Sequence, residues 1–233
     1  MKEGEPGFTP EDDISPQEIR EHLNNPNYLP SHDDVVRAFG NKWSEDWHFY
    51  FFNKETPRFE LLNQEFIESL SSYLNTRVEE LGATQEKPVT ILDVGAGDGR
   101  LTHFISKSLQ TKSLGKFQMI AVDDGERGIK PNFPVEQVSS VEDALRKHQP
   151  DIVICSWMED GKDWTVFFRN TQSVKEYILI GEPEICGTES SWSEHKGFSK
   201  RELEEVTRQQ MCRTDESPVD CFKSKTISYR RES

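Results

Sequence analysis

Long hydrophobic runs are missing from this sequence. No stretch of its 233 residues approaches the ~20 apolar residues that a membrane-spanning helix needs. The first residues, MKEGEPGFTPEDD, lack the apolar segment of a secretory signal, so the chain reads as soluble, intracellular and cytoplasmic. Cysteine is scarce: Cys155, Cys186, Cys212 and Cys221. None forms a C-x-x-C pair and no histidine lies at ligand spacing from two of them, so no metal site is expected and the four read as reduced thiols. A pairing of Cys212 with Cys221 across a hairpin is a lesser alternative. Positive charge is also short, with 28 Lys and Arg against 42 Asp and Glu and a formal net charge of -14. Non-specific nucleic-acid binding depends on cations that neutralise phosphates. A nucleic-acid partner is therefore disfavoured, a local basic groove aside. No internal repeat stands out.

What remains is a polar, charged chain, with 30% of its residues charged and a mean hydropathy of -0.75. Its length suits one full-sized domain with an appendage. Residues 1–34 are acidic and spotted with proline, and are expected to be poorly ordered apart from one short helix near Ser15–Leu23, where Ser15 and Pro16 supply a cap and a first-turn proline. Residues 35–82 form an aromatic-rich helical extension. Within it Phe39, Trp43, Trp47, Phe49, Tyr50, Phe51 and Phe52 must bury against something, either by packing on the main domain or as a lid over a ligand. The clearest helix is expected over Phe59–Leu81, where Leu62, Phe66, Ile67, Leu70, Tyr73, Leu74, Val78 and Leu81 recur at three and four positions and Gly82 supplies the stop.

From 88 to 231 the pattern changes. VTILDV, FQMIAV, a weak VEQVSS, DIVICSW and YILIG read as strands, separated by helices over Asp98–Leu109, around VEDALRKH and near Trp164, Phe167 and Phe168. Such alternation implies β-α-β units and a parallel sheet. A helix around Lys200–Gln209 and two late strands, near Met211–Thr214 and Lys223–Arg230, close the domain as an antiparallel edge.

The strongest local signal is the run Ile91 to Gly99, ILDVGAGDG, between the first strand and its helix. Gly95 and Gly97 permit a tight turn with no Cβ against a ligand, and the following helix offers free N–H groups at its positive end. Asp93 ends an otherwise apolar strand, where a carboxylate is costly without a partner. Asp123 and Asp124 lie at the tip of the second strand, where an acid can accept from both hydroxyls of a ribose. The nicotinamide fingerprint G-x-G-x-x-G is not met, because position 100 is Arg, and G-K-[ST] of a phosphate-binding loop is missing. A carboxylate at Asp93 repels a pyrophosphate and suits a cation. The ligand that fits is a positively charged nucleoside without phosphates.

The segment ILDVGAGDGRLT resembles the first motif of the class I S-adenosylmethionine-dependent methyltransferases. The resemblance covers about residues 88–231. It implies a Rossmann-like, seven-stranded, mostly parallel α/β sheet in the order 3-2-1-4-5-7-6, with helices on both faces. It implies S-adenosylmethionine as cofactor: Asp93, Gly95, Ala96, Gly97, Asp98 and Gly99 at the methionine end, Asp123 and Asp124 at the ribose, Ser140 and Val141 at the adenine, and Ser156, Trp157 and Met158 between cofactor and acceptor. Two features depart from the family. About a dozen residues, Asp124–Val135, join the second and third strands, too few for a full crossover helix. The fourth strand ends Cys-Ser-Trp-Met, without the Asn/Asp-Pro-Pro-aromatic motif of members that methylate DNA or glutamine amino groups, and no Pro-Cys pair exists.

Methyl transfer needs placement and at most one base, so catalytic residues are poorly visible. Candidates at the expected pocket mouth are Glu159, Glu182 and His195, with Asp160 and Glu184 beside them. Trp157 and Trp192 are candidates to wall an acceptor site. The methyl acceptor is unidentified, a small molecule or protein being favoured over nucleic acid. Two other readings stay open: a methyltransferase-like binding module that works through protein partners, and a nicotinamide oxidoreductase, the latter disfavoured by Arg100 and Asp93. The sequence gives no oligomeric state.

Overall fold

A computed structural model describes residues 14–23, 25–43, 58–113, 115–217, 219 and 223–232. Trp47, Phe49, Tyr50, Phe51, Phe52 and Cys221 lie outside them, and with them most of the lid expectation and the Cys212–Cys221 alternative. Among the described residues no helix is long and apolar enough to cross a membrane.

The chain enters through α1 (Pro16–His22) and α2 (His32–Phe39), each opened by a serine capping box, Ser15 with Glu18 and Ser31 with Asp34. Then come α3 (Gln64–Glu80), β1 (Val89–Val94), α4 (Arg100–Ser113), β2 (Phe117–Asp123), β3 (Glu136–Gln137), α5 (Val141–His148), β4 (Ile152–Ser156), α6 (Thr165–Asn170), β5 (Glu176–Gly181), α7 (Glu189–Ser193), β6 (Phe198–Glu202), α8 (Glu204–Thr207) and β7 (Lys225–Arg231). The strands form one sheet in the order β3-β2-β1-β4-β5-β7-β6. β7 runs antiparallel between β5 and β6, and the remaining pairs are parallel. This is the expected Rossmann-like topology.

Successive strand residues point to opposite faces, and both faces here are covered, which explains the uninterrupted apolar strands. On one side Ile91, Ile152, Ile154, Ile178 and Ile180 pack under Phe66, Leu70 and Leu74 of α3 and Phe104 and Ile105 of α4. On the other side Leu92, Val153, Cys155, Tyr177 and Leu179 meet Leu145 of α5, Phe168 of α6 and Trp192 of α7. A third cluster joins Ile19, Val35, Phe39, Trp43 and Leu61 to Met211. The Trp43 indole donates to the Cys212 carbonyl at 3.3 Å. Of the extension's aromatics ahead of Phe59, the two described, Phe39 and Trp43, therefore pack as core.

Several boundaries differ from expectation. α3 begins at Gln64, because Asn63 caps it through the Phe66 N–H and residues 59–61 are held extended instead. Leu61 N–H donates to the Met211 carbonyl, and Arg213 N–H to that of Phe59. The stretch expected as a strand near Met211–Thr214 is spent on that pairing and makes a single bridge, Glu60 with Cys212. The edge strand is Phe198–Glu202 instead. Its Ser199, Lys200 and Arg201 are exposed, so it carries no alternating apolar signal. No helix separates β2 from β3, as the short connection required.

Candidate functional site

A cavity opens above the C-terminal ends of β1, β2 and β4, where open α/β sheets bind their ligands. It is lined by Arg58, Phe59, Glu60, Leu62, Asp93, Gly95, Ala96, Gly97, Asp98, Arg100, Leu101, Asp123, Asp124, Arg127, Ile129, Ser156, Trp157, Glu159 and Trp164. Residues from four parts of the chain meet here: the glycine loop, the tips of β2 and β4, and the extended segment ahead of α3.

The glycine loop folds as it does because its glycines occupy left-handed backbone. Gly95 has φ +70°, and a Cβ there would lie 2.9 Å from Cζ3 of Trp164, which walls the cavity. Gly128 has a comparable φ of +65° with nothing near. Gly95→Ala is thus expected to lose more stability than Gly128→Ala in a urea melt, the latter showing the backbone cost alone, about 1–2 kcal/mol. Equal losses would mean that the loop and Trp164 are not in contact.

Two acids hold the loop. Asp123 Oδ2 accepts the Gly97 N–H at 2.9 Å and Oδ1 that of Gly125 at 2.8 Å, leaving each carboxylate oxygen one further lone pair. Asp93 is 1% exposed. Its Oδ2 accepts from Thr102 Oγ1 at 2.7 Å, while Oδ1 has no partner. Burial lifts its carboxyl to about 7, and the negative charges of Asp123 and Asp98 push the same way. Asp98 forms an ion pair with Arg58, Nη1 to Oδ2 3.0 Å.

Another part of the cavity wall, Arg58, Phe59, Glu60 and Leu62, is supplied by the extension. Glu60 Oε1 is buried without a partner, and so is Trp157 Nε1. Burial pushes the Glu60 carboxyl to about 8; the facing Trp157, Ser156 and Gln210 side chains resist that rise, and Asp215 adds to it. Phe59 stacks on Trp157 at 5.5 Å with 23° between the rings. Trp157 itself adopts φ +57°, a conformation costly for a bulky residue and concentrated at functional sites.

Of the residues singled out in the sequence, Asp93, Gly95, Ala96, Gly97, Asp98, Asp123, Asp124, Ser156, Trp157 and Glu159 line the cavity. Glu159 lies 3.7 Å from Arg127. The others sit elsewhere. Gly99 turns the loop away, and a Cβ there would meet Val135 at 2.7 Å. Ser140 is spent capping α5 through the Asp143 N–H, and Val141 packs against the core beside it. Met158 is buried near Ser191. Glu182 is buried below the β5 loop, where its carbonyl accepts the Cys186 N–H. The His195 ring meets the Phe198 carbonyl at 2.8 Å, and Asp160 and Glu184 are exposed. Trp192 donates to the Cys186 carbonyl at 2.6 Å within the core.

Sequence reasoning missed Arg58, Phe59, Glu60, Arg127, Ile129 and Trp164. Glu60 carried a signal of the same kind as Asp93: an acid set between Phe59 and Leu61 in an apolar stretch. Arg100, which replaces the third glycine of the nicotinamide pattern, is 3% exposed. Its guanidinium donates to the Leu23 carbonyl and, at 2.8 Å, to that of Tyr28, so it ties the N-terminal segment ahead of the extension to the start of α4.

No family model matches the chain, nor does the sequence of any curated protein. Solved structures do resemble it. The citrinin polyketide synthase CMeT domain shares 12% identity at a TM-score of 0.48, over 92% of this chain and 65% of that one. The CurJ carbon methyltransferase shares 12% at 0.49, over 94% and 62%. The chain thus spans less than two thirds of either. The plantazolicin methyltransferase BpumL, in complex with SAH and a triazolic desmethylPZN analog, shares 13% at 0.42, over 94% and 96%. By its own strand order the chain is a Rossmann-like α/β protein, with an acid-lined cavity at the switch point of its sheet.

Proposed function

We propose that this protein binds S-adenosylmethionine in the cavity above β1, β2 and β4 and transfers its methyl group to a small-molecule or protein acceptor. The observation that carries this reading is the buried, unpartnered Asp93 Oδ1 in a cavity where six carboxyl groups stand against three guanidinium groups. A pyrophosphate entering there meets Asp93, Asp98 and Asp123, whereas an adenosine bearing positive charge does not suffer that repulsion. The residues fit the cofactor. Asp93 and the Gly95–Asp98 turn would hold the charged methionine end, Asp123 the ribose hydroxyls, and Ile129 the flat base, in the role expected of Ser140 and Val141. Bound there, S-adenosylmethionine supplies a methyl group on a sulfonium sulfur, open to in-line displacement. The chain's own contribution is placement: the fixed turn orients, and Trp164 and Phe59 wall off water.

Calorimetry on the whole chain with S-adenosylmethionine, S-adenosylhomocysteine and NAD tests this. Binding of the first two and not of NAD is expected, together with transfer of labelled methyl into a lysate fraction. NAD binding with no response to S-adenosylmethionine would overturn the assignment.

A further inference from the structure

In the same cavity the Glu60 Oε1 acceptor and the Trp157 Nε1 donor are buried without closing a well-formed hydrogen bond, although Glu60 lies within reach of the Trp157, Ser156 and Gln210 side chains. They face each other's surroundings closely enough for the Trp157 and Ser156 side chains to favour the charged form of Glu60. Orphaned buried groups cost free energy unless a ligand satisfies them. Trp157 is held in left-handed backbone, and its ring is braced by Phe59, itself under the Arg213 guanidinium at 4.8 Å. The pair is therefore built, not incidental to a loop.

Building on the methyltransferase reading, the geometry points to a hydroxyl compound as the methyl acceptor, held between the Trp157 indole N–H and the Glu60 carboxylate. A hydroxyl has one donor and two lone pairs. One lone pair takes the Trp157 N–H, the O–H faces Glu60 Oε1, and the second lone pair stays free to attack. A neutral amine has a single lone pair, which the Trp157 N–H would occupy, and an ammonium has none. A thiol accepts the indole N–H only weakly. In the step, the acceptor oxygen forms a bond to the methyl carbon as the carbon–sulfonium bond breaks. The hydroxyl proton passes to Glu60, and S-adenosylhomocysteine leaves neutral at sulfur. The carboxyl, lifted by burial and by Asp215, with Cys212 near it and Arg58, Arg127 and Glu159 on the same cavity wall, has the basicity that proton transfer near neutral pH requires.

Three probes with one ring and different nucleophiles test this: 4-nitrophenol, 4-nitroaniline and 4-nitrothiophenol, each titrated into the whole chain saturated with S-adenosylhomocysteine. 4-Nitrophenol should bind more tightly than either analogue by at least about tenfold, and its absorbance should show the ionised form once bound. Glu60→Gln should keep S-adenosylhomocysteine affinity within about twofold, yet lose both the preference and the ionised spectrum. Trp157→Phe keeps the ring stack and should weaken 4-nitrophenol alone. If S-adenosylhomocysteine binds but the three probes bind alike, or none binds, or Glu60→Gln leaves the bound spectrum unchanged, the hydroxyl assignment fails while the cofactor assignment stands. If S-adenosylhomocysteine itself does not bind, both fall.

Discussion

Replacing Asp93 with asparagine is expected to stabilise the fold and to remove cofactor binding together. Asp93 is buried with one oxygen unpartnered, and its carboxyl is lifted from 3.8 to about 7. A raised folded-state value means that the native state holds its proton more tightly than the unfolded chain does. Below pH 3.8 both states are protonated and Asp93 imposes no penalty. Between 3.8 and about 7 the unfolded chain loses the proton first, so stability falls as pH rises, and above about 7 the whole penalty is present. At 1.36 kcal/mol per unit the lift corresponds to ~4 kcal/mol. Asparagine keeps an acceptor for Thr102 and carries no charge. It should raise the unfolding free energy at pH 8 by about 2–4 kcal/mol and change it little near pH 4, as measured in urea. Affinity for S-adenosylmethionine should fall by at least about 50-fold. A stabilised variant with intact binding would mean that Asp93 does not face the ligand; a variant no more stable than the parent would mean that its carboxylate is already satisfied.

Arg77→Met is expected to be among the most destabilising single changes in the molecule, although it lies far from the cavity. Glu176 opens β5 and is 0% exposed. Its Oε2 receives Arg77 Nε at 2.5 Å, and its Oε1 receives Ser228 Oγ at 2.6 Å and the Tyr73 hydroxyl. Arg77 also pairs with Glu80. Through these contacts α3 is latched to the centre of the sheet, and the Tyr73 hydroxyl is raised to about 12 by burial and by the Glu176 charge. Removing Arg77 leaves the buried Glu176 carboxylate with only the longer pair to Arg230, Nε to Oε2 3.9 Å, and breaking the close partner of a buried pair costs up to about 3–5 kcal/mol. Chemical denaturation should show that loss. The double change Arg77→Met with Glu176→Met should recover most of it, because no unpaired charge remains. If the double variant is no more stable than Arg77→Met alone, the latch works by packing and not by charge.

The two carboxylates illustrate how far the sequence could be read. Asp93 was legible because an acid closed a run of apolar strand residues just before a glycine turn, and that local contradiction names a site. The grouping of Asp93, Gly95, Gly97 and Asp123 in one cavity was legible because β1, its turn and α4 are contiguous, and the pairing of β2 beside β1 completes it. Glu60 broke the same rule but sat in a segment read as the start of a helix. Only its pairing with residues 211–213, about 150 positions away in the chain, holds it extended and points it to the cavity. Ser140 showed the converse: a plausible position by strand count, yet its hydroxyl is consumed by the cap of α5.

Local chemistry thus determined the alternation of strands and helices and the acid-flanked turn, because periodicity, capping and glycine conformations act within a few residues, while the sheet order came only as an implication of the glycine-loop resemblance. Tertiary structure decided which segment supplies the rest of the cavity wall, where the edge strand lies, and why residue 100 is arginine. Those outcomes depend on contacts between segments distant in sequence, whose energies exist only once the sheet has formed.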